Sequence, residues 1–215
     1  MSAQDPVILE TQWLGRRAYA EVHARMLALR GARSRDEIPD QLLLVEHEPI
    51  YTRGRRLGEG EVLDPGIEIL EVERGGRITW HGPGQLVAYP ILKLVGKGRD
   101  LHALLRLLED VLIDLLKGLD LRASRDPLGT GVFVEGRKIA SIGIAVKSWT
   151  SYHGLALNVT TDLDVFRAIR PCGLDATLMT NLERELSPRL VPGLPELAER
   201  LRLCFEKGIA AYPRA

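Results

Sequence analysis

The segment from residue 101 to 117, "LHALLRLLEDVLIDLLK", limits most strongly how this chain can fold. Its apolar residues recur every three or four positions, which predicts a helix with a wide apolar stripe. Asp100 is a suitable N-cap and Gly118 a suitable end. Because such a stripe has to be buried, we expect this helix to cover a sheet. The stripe consists of Leu101, Leu104, Leu105, Leu108, Val111, Leu112 and Leu115.

Short apolar or alternating runs elsewhere are typical of strands. The segment 131–146, "GVFVEGRKIASIGIAV", predicts two strands joined by a tight turn at Glu135 and Gly136. The other strand-like segments are "LLLVEH" (42–47), "IEILEVE" (67–73), "GQLVAYPIL" (84–92) and "SYHGLALNVT" (151–160).

Three further segments have helical character. Apolar residues from Leu14 to Leu29 predict a helix that ends at Gly31, and 161–169 predicts a short helix. A closing helix follows Leu194, with Leu197, Leu201, Cys204 and Phe205 along its inner stripe. Strands follow strands without a regular strand–helix repeat, so the pattern predicts the α+β class, with a mixed, largely antiparallel sheet flanked by helices. We expect residues 1–215 to form a single domain.

The balance of charges excludes a partner that is attracted by the net charge of the whole chain. The 215 residues contain 29 Lys and Arg and 29 Asp and Glu, so we expect no nucleic-acid binding, and any charged partner must meet a local patch. The start "MSAQDPVILE" is not a signal peptide, and no apolar run is long enough to cross a bilayer. We therefore expect a cytoplasmic protein without a membrane partner.

The glycine-rich segment 74–90, "RGGRITWHGPGQLVAYP", is the first candidate for a site. It lacks the lysine of a P-loop, and its glycines precede a strand rather than a helix, which also excludes a dinucleotide fingerprint. Gly75 and Gly76 would let a ligand approach the backbone closely. A glycine-rich hairpin with an exposed Arg74 and His81 is an equally good interpretation of this segment alone.

Metal and thiol chemistry can be weighed from the histidines and cysteines. His23, His47, His81, His102 and His153 show no metal-ligand spacing, so we expect no structural metal.

Two cysteines are too few for a disulfide framework, and Cys204 lies at an apolar helix position where a buried, inert thiol is expected. Cys172 lies in the irregular segment "RPCGLDAT", where a nucleophile could be positioned. Lys138, at the start of a buried strand, is a candidate partner, although a solvated lysine after the turn is the alternative.

Several segments together resemble those of the lipoyl(octanoyl) transferases, which move octanoyl groups from acyl carrier protein to proteins in lipoate synthesis. The glycine-rich segment is similar to the family signature, and the resemblance runs in order from about residue 42 to 181. The other matching segments are "EHEPIYTRGR", "GRKIASIGIAV", "HGLALNV" and "PCGL".

The resemblance implies a fold like that of the lipoate and biotin protein ligase catalytic domains, and it implies site residues. Cys172 would carry the acyl group as a thioester, and Lys138 would lower the pKa of that cysteine and act as acid and base. The residues implied to line the acyl-thioester pocket are Arg74, Gly75, Gly76, Arg77, Ile78, Thr79, Trp80, His81, Ser141, Ile142, Gly143, Gly154, Leu155 and Ala156.

The implied reaction transfers an octanoyl group from octanoyl-acyl carrier protein to a lysine of a lipoyl domain. The acceptors would be the E2 subunits of 2-oxoacid dehydrogenases and the glycine cleavage H protein. The family implies a monomer that needs no cofactor. An ATP-dependent lipoate or biotin ligase of the same fold, or a non-catalytic protein that binds acyl carrier or lipoyl domains, are the alternatives.

Overall fold

A computed structural model describes residues 8–56, 58 and 60–213 of the chain. It contains four α-helices and ten β-strands in these described parts. The helices are α1 (Tyr19–Ser34), α2 (Leu101–Lys117), α3 (Leu182–Leu186) and α4 (Leu194–Ala211). The strands are β1 (Leu9–Arg17), β2 (Asp40–His47), β3 (Ile50–Arg53), β4 (Ile69–Glu71), β5 (Ile78–His81), β6 (Gln85–Ile91), β7 (Ala123–Asp126), β8 (Gly129–Val134), β9 (Arg137–Lys147) and β10 (Thr150–Asn158).

The strands form two sheets. The larger has seven strands in the order β1-β2-β6-β10-β9-β8-β7, and the smaller has three in the order β4-β3-β5. In each sheet one pair is parallel, β1 with β2 and β3 with β4, while the other pairs are antiparallel. The predicted mixed, largely antiparallel sheet is confirmed.

Alternate residues of the central strands face opposite layers of helix. In β2, Leu42 and Leu44 belong to the core under α2 and α4, whereas Leu43 and Val45 belong to the core under α1. This period of two is what an extended strand imposes, and a sheet covered on both faces needs apolar residues at every position. The larger sheet is therefore the middle layer of the molecule, with α2 covering it as the sequence predicts.

The small sheet packs beside this core and carries the glycine-rich segment. Backbone bonds from Gly54 N to Arg77 O (3.3 Å) and from Arg55 N to Arg74 O (3.0 Å) join the loop after β3 to the loop before β5. Any side chain at Gly54 would meet the Gly76 carbonyl oxygen 2.5 Å from its Cβ, so this approach requires glycine.

Local sequence signals for the central helix and hairpin are confirmed. Asp100 caps α2 by accepting hydrogen bonds from the backbone of His102 (2.8 Å) and Ala103 (3.1 Å). Glu135 and Gly136 have the positive φ angles, 48° and 77°, of a tight hairpin turn.

The prediction for the first helix is wrong at both ends. Residues 14–17 belong to β1, because that segment pairs in parallel with β2, and the helix continues past Gly31 to Ser34. Long-range strand pairing overrides the helical spacing here. The strand predicted over 67–73 shrinks to β4, and the short helix over 161–169 is a 3₁₀ helix at Leu163–Ala168.

Cys204 differs from its prediction as well. It is half-buried rather than fully buried and lines a groove between α2 and α4. Burial raises the pKa of the Cys204 thiol, so it stays protonated at neutral pH. In the parts of the chain that the structure describes, no helix combines the length and apolar character needed to cross a membrane.

Candidate active site

Cys172 lies on a short 3₁₀ turn, Pro171–Gly173, that holds it in an uncommon backbone conformation. Its φ of 55° and ψ of 22° are left-handed, which costs a non-glycine residue about 1–2 kcal/mol. Such outliers gather at functional sites. The side chain is partly exposed, and its Sγ lies 3.9 Å from Ser141 Oγ on β9.

Lys138 is a fully buried lysine on β9. Its Nζ donates a hydrogen bond to Thr130 O at 2.8 Å and lies 5.4 Å from the centre of the Phe133 ring. A Cβ at Gly131 would come within 2.9 Å of Lys138 Cε, so glycine at that position leaves room for the lysine. Since the Lys138 side chain is fully buried, the alternative of a solvated lysine after the turn is excluded.

Cys172 and Lys138 line the same cavity, of about 480 Å³, but no direct hydrogen bond joins them. The glycine loop contributes Gly75 and Gly76 to its wall, and Leu105 comes from α2. The cavity is large enough to admit a substituted thioester beside the two side chains.

A second, smaller cavity of about 30 Å³ also reaches Cys172. Most of the pocket residues implied by the family resemblance lie here, drawn from the glycine-rich segment, β9 and β10. This volume holds a few water molecules at most, so an acyl chain has to displace lining side chains to enter. The implied residues that line it are Arg74, Gly76, Thr79, His81, Ser141, Ile142, Gly143, Gly154, Leu155 and Ala156.

The remaining four implied pocket residues lie elsewhere. Gly75 and Arg77 line the larger cavity. Ile78 and Trp80 pack into a separate apolar cluster beneath the small sheet and line neither cavity, and their assignment to the pocket stays a prediction. Alternation along β5 explains this result, since only every second residue of a strand faces a given side.

Arg74 brings a buried positive charge to the smaller cavity. Its side chain is 7% exposed, and its guanidinium donates to Thr52 O (2.9 Å), Thr52 Oγ1 (2.8 Å), Arg77 O (2.8 Å) and Gly75 O (3.2 Å). None of these acceptors is a carboxylate. Burial lowers the pKa of Arg74 and the nearby Cys172 raises it, so the arginine and the cysteine interact electrostatically. A fixed cation of this kind favours negative charge that develops beside it during a reaction.

Two buried imidazoles stand beside Arg74 in a hydrogen-bonded array. His81 Nδ1 donates to Gln85 Oε1 (2.7 Å), whose amide nitrogen in turn donates to Asn158 Oδ1 (3.0 Å). His47 Nδ1 donates to Arg17 O (3.2 Å), which leaves Nε2 to accept from Tyr89 OH (2.8 Å).

Burial lowers the pKa of His81 to about 3 and that of His47 to about 4. Both rings are therefore neutral at pH 7. His81 is therefore buried rather than exposed, and its polar contact is the buried hydrogen bond to Gln85.

A third histidine, His153, belongs to the group of side chains that could hold a metal ion. His23 Nε2 and His153 Nε2 lie 3.0 Å and 3.4 Å from Glu73 Oε2, and all the possible ligand atoms lie within 4.8 Å of one another. The sequence could not reveal this group because its members come from α1, the loop before β5 and β10. The expectation of no structural metal stays a prediction.

Sequence reasoning missed several residues of the site. Tyr19 and Tyr89 line the smaller cavity, and Arg56 and Thr130 line the larger one. Tyr19 lies at the start of α1, far along the chain from the motif, and only the packing of α1 brings it there. A basic pair at 55–56 after a strand was the available signal for Arg56.

Comparison with known proteins agrees with this geometry. The sequence profile of the lipoyl protein ligase A/B catalytic domain matches residues 18–205. The chain belongs to this family. Relatives named octanoyltransferase include one from Geobacter metallireducens, 50% identical over 154 residues, which are 72% of each chain. Another, from Alkalilimnicola ehrlichii, is 42% identical over 194 residues, 90% of this chain and 86% of its own. The expected acyltransferase class is confirmed by these names.

Solved structures confirm the expected ligase-like fold. A Thermoplasma acidophilum protein described as a putative lipoate protein ligase with bound lipoic acid superposes with a TM-score of 0.72 at 18% identity, covering 94% of this chain and 86% of its own. A biotin acetyl coenzyme A carboxylase synthetase from Helicobacter pylori gives a TM-score of 0.57 at 11% identity, covering 96% and 76%. At these identities the likeness establishes the fold alone.

Proposed function

We propose that this chain is an octanoyltransferase of protein lipoylation, acting through a thioester on Cys172. The observation that carries the proposal is the shared cavity of Cys172, Lys138 and the glycine loop in a member of this family. Residues 1–215 act as one catalytic domain, as a monomer in the cytoplasm. The donor is an octanoyl group on the phosphopantetheine arm of acyl carrier protein.

In the first half-reaction the Cys172 thiolate attacks the thioester carbonyl. A new carbon–sulfur bond forms at Cys172, the bond to the carrier sulfur breaks, and the carrier leaves as a thiol with a proton from Lys138. Arg74 supports the negative charge at the reacting centre from its buried position. The backbone N–H of Gly75 does not stabilise this negative charge, because it already donates a hydrogen bond to Ile144 O at 2.7 Å.

In the second half-reaction a lysine of a lipoyl domain attacks the acyl-enzyme. The acceptors are E2 subunits of 2-oxoacid dehydrogenases and the glycine cleavage H protein. An amide bond forms, Cys172 leaves as a thiolate, and the proton released by the amine passes to the neutral Lys138. The first half-reaction therefore takes a proton from Lys138, and the second half-reaction returns a proton to it.

Converting a thioester into an amide is downhill, so the proposed reaction requires no nucleotide or metal. An ATP-dependent ligase of the same fold would instead activate free octanoate. A non-catalytic binding protein would form no bond at Cys172. The position of Cys172 on the cavity, in a left-handed backbone conformation, supports the transferase over both alternatives, because neither of them needs a cysteine nucleophile.

The test offers two octanoyl sources to a lipoyl domain. We expect octanoyl carrier protein to modify the acceptor lysine without ATP, and octanoate with ATP and Mg²⁺ to leave it unmodified, as read by intact-mass spectrometry. The reverse pattern would establish the ligase, and no modification from either source would favour a binding protein.

A matched pair of variants tests Lys138 within this scheme. Lys138→Met keeps the length of the aliphatic stem and should slow acylation of Cys172 by about a hundredfold or more, the usual size of an acid–base contribution. Lys147→Met changes an exposed lysine of the same strand and should leave the rate unchanged. Equal rates in the two variants would remove the proposed role of Lys138.

A further inference from the structure

The larger cavity has a charge bias that the acyl chain does not explain. Its charged lining residues are Arg56, Arg77 and Lys138, and among the described residues that line it none is acidic. In a chain whose Lys and Arg equal its Asp and Glu in number, a cavity lined by one sign of charge is a local patch. An octanoyl group is uncharged, so this patch points to another part of the donor.

Arg56 is the one of these cations that is both exposed and free of a carboxylate in the described parts of the chain. Its backbone N–H donates to Gly76 O at 3.2 Å, which fixes the residue above the glycine loop. Arg77 is held by Glu61, with Nη1 and Oε1 3.1 Å apart, and Lys138 is fully buried. A ligand anion arriving from solvent therefore meets Arg56 first.

The uncharged lining of the cavity that Arg56 and Cys172 share suits a long, mostly aliphatic arm. Leu105, Leu128 and Leu174 contribute apolar side chains, while Thr130 adds a polar residue of the β8 strand. A donor with a terminal anion, an uncharged stem and a thioester matches these three kinds of lining residue, the free arginine, the apolar side chains and the cysteine. Arginine binds phosphate oxygens through two parallel N–H groups, which a lysine cannot do.

We propose that Arg56 binds the phosphate ester at the outer end of the donor's phosphopantetheine arm while the thioester reaches Cys172. The inference rests on the proposed function and goes beyond it by assigning the larger cavity to the arm and leaving the smaller one for the acyl chain. The chain thus recognises an acyl donor by its arm as well as by its acyl group.

The experiment compares two small donors that differ in one group, octanoyl-4′-phosphopantetheine and octanoyl-pantetheine. The measured quantity is the second-order rate constant for the acyl adduct at Cys172, followed by intact-mass spectrometry. We expect the wild type to prefer the phosphorylated donor by about tenfold, the size of one charge-assisted hydrogen bond at a partly exposed site. The preference should shrink in 0.5 M salt because exposed charges are screened.

Three variants separate charge recognition from a structural effect. Arg56→Gln should lower the rate with octanoyl-4′-phosphopantetheine more than the rate with octanoyl-pantetheine, so that the preference falls to about one, and Arg56→Lys should retain part of the preference. Arg122→Gln removes an exposed arginine that does not line the cavity, so it should behave as wild type.

Equal rates with both donors in the wild type, or a preference that persists in Arg56→Gln, would overturn this inference alone. Failure of both donors to acylate Cys172 would overturn the proposed function together with it. Slowing of both donors to the same extent in Arg56→Gln would show that Arg56 only shapes the loop, and this also contradicts the inference.

Discussion

Mild acid should destabilise this protein strongly because of its buried neutral histidines. Burial lowers the pKa of His47 and His153 to about 4 and that of His81 to about 3. In the unfolded chain the same rings titrate near 6.5. Below that pH the unfolded state binds protons that the folded state does not bind. The free energy of unfolding is therefore highest above pH 6.5 and falls as the pH is lowered toward 4.

The size of the effect follows from these pKa values. Between pH 7 and pH 5 each ring lowers the free energy of unfolding by about 2 kcal/mol, and the three rings together lower it by about 6 kcal/mol. At pH 5 unfolding takes up about three protons. A domain of ordinary stability, about 5–15 kcal/mol, would lose a large part of it.

Urea unfolding at half-unit steps from pH 7.5 to 5, followed by circular dichroism, measures the slope directly. His81→Gln should lower the proton uptake on unfolding by about one. A slope of one proton or less in the wild type would refute the reasoning, because it would mean that the three rings are already charged or solvated in the folded state.

Three further predictions concern backbone, pocket and thiol. Gly54→Ala should lower the free energy of unfolding by about 2 kcal/mol or more in urea titration, since its Cβ would meet Gly76 O at 2.5 Å, whereas Gly31→Ala in α1 should be neutral or stabilising. Ala156→Leu narrows the smaller cavity and should shift donor preference in kcat/KM from octanoyl toward shorter chains by about tenfold; an unchanged preference would place the acyl chain elsewhere. Cys204→Ala should keep turnover near wild type, and a loss of turnover in a folded variant would show that the nucleophile had been assigned to the wrong thiol.

Sequence patterns predicted those elements whose signals are local. The cap at Asp100 and the turn at Glu135 and Gly136 depend on neighbours within four residues, and the structure confirms them. The strand at residues 9–17 was missed because its stability comes from pairing with β2, some thirty residues away, and its own residues are largely polar. Distant pairing leaves little trace in a single sequence.

The candidate site shows the same division. The family resemblance gave ten residues that line the smaller cavity, because a motif keeps its chemistry together along the chain. It also gave Ile78 and Trp80, whose side chains face the separate apolar cluster beneath the small sheet because side chains alternate along β5. Tyr19 could not be predicted, since it joins the site only through the packing of α1, whereas the basic pair at 55–56 was an available signal for Arg56.

The role of Cys172 as the acyl-carrying nucleophile is tested most directly by the mass of the protein after mixing with octanoyl carrier protein in the absence of nucleotide. We expect a covalent octanoyl adduct in the wild type and in Cys204→Ala, mapped to Cys172 by peptide analysis and absent from Cys172→Ser. An adduct that persists in Cys172→Ser, or transfer to the lipoyl domain with no adduct even when rapidly quenched, would contradict this role.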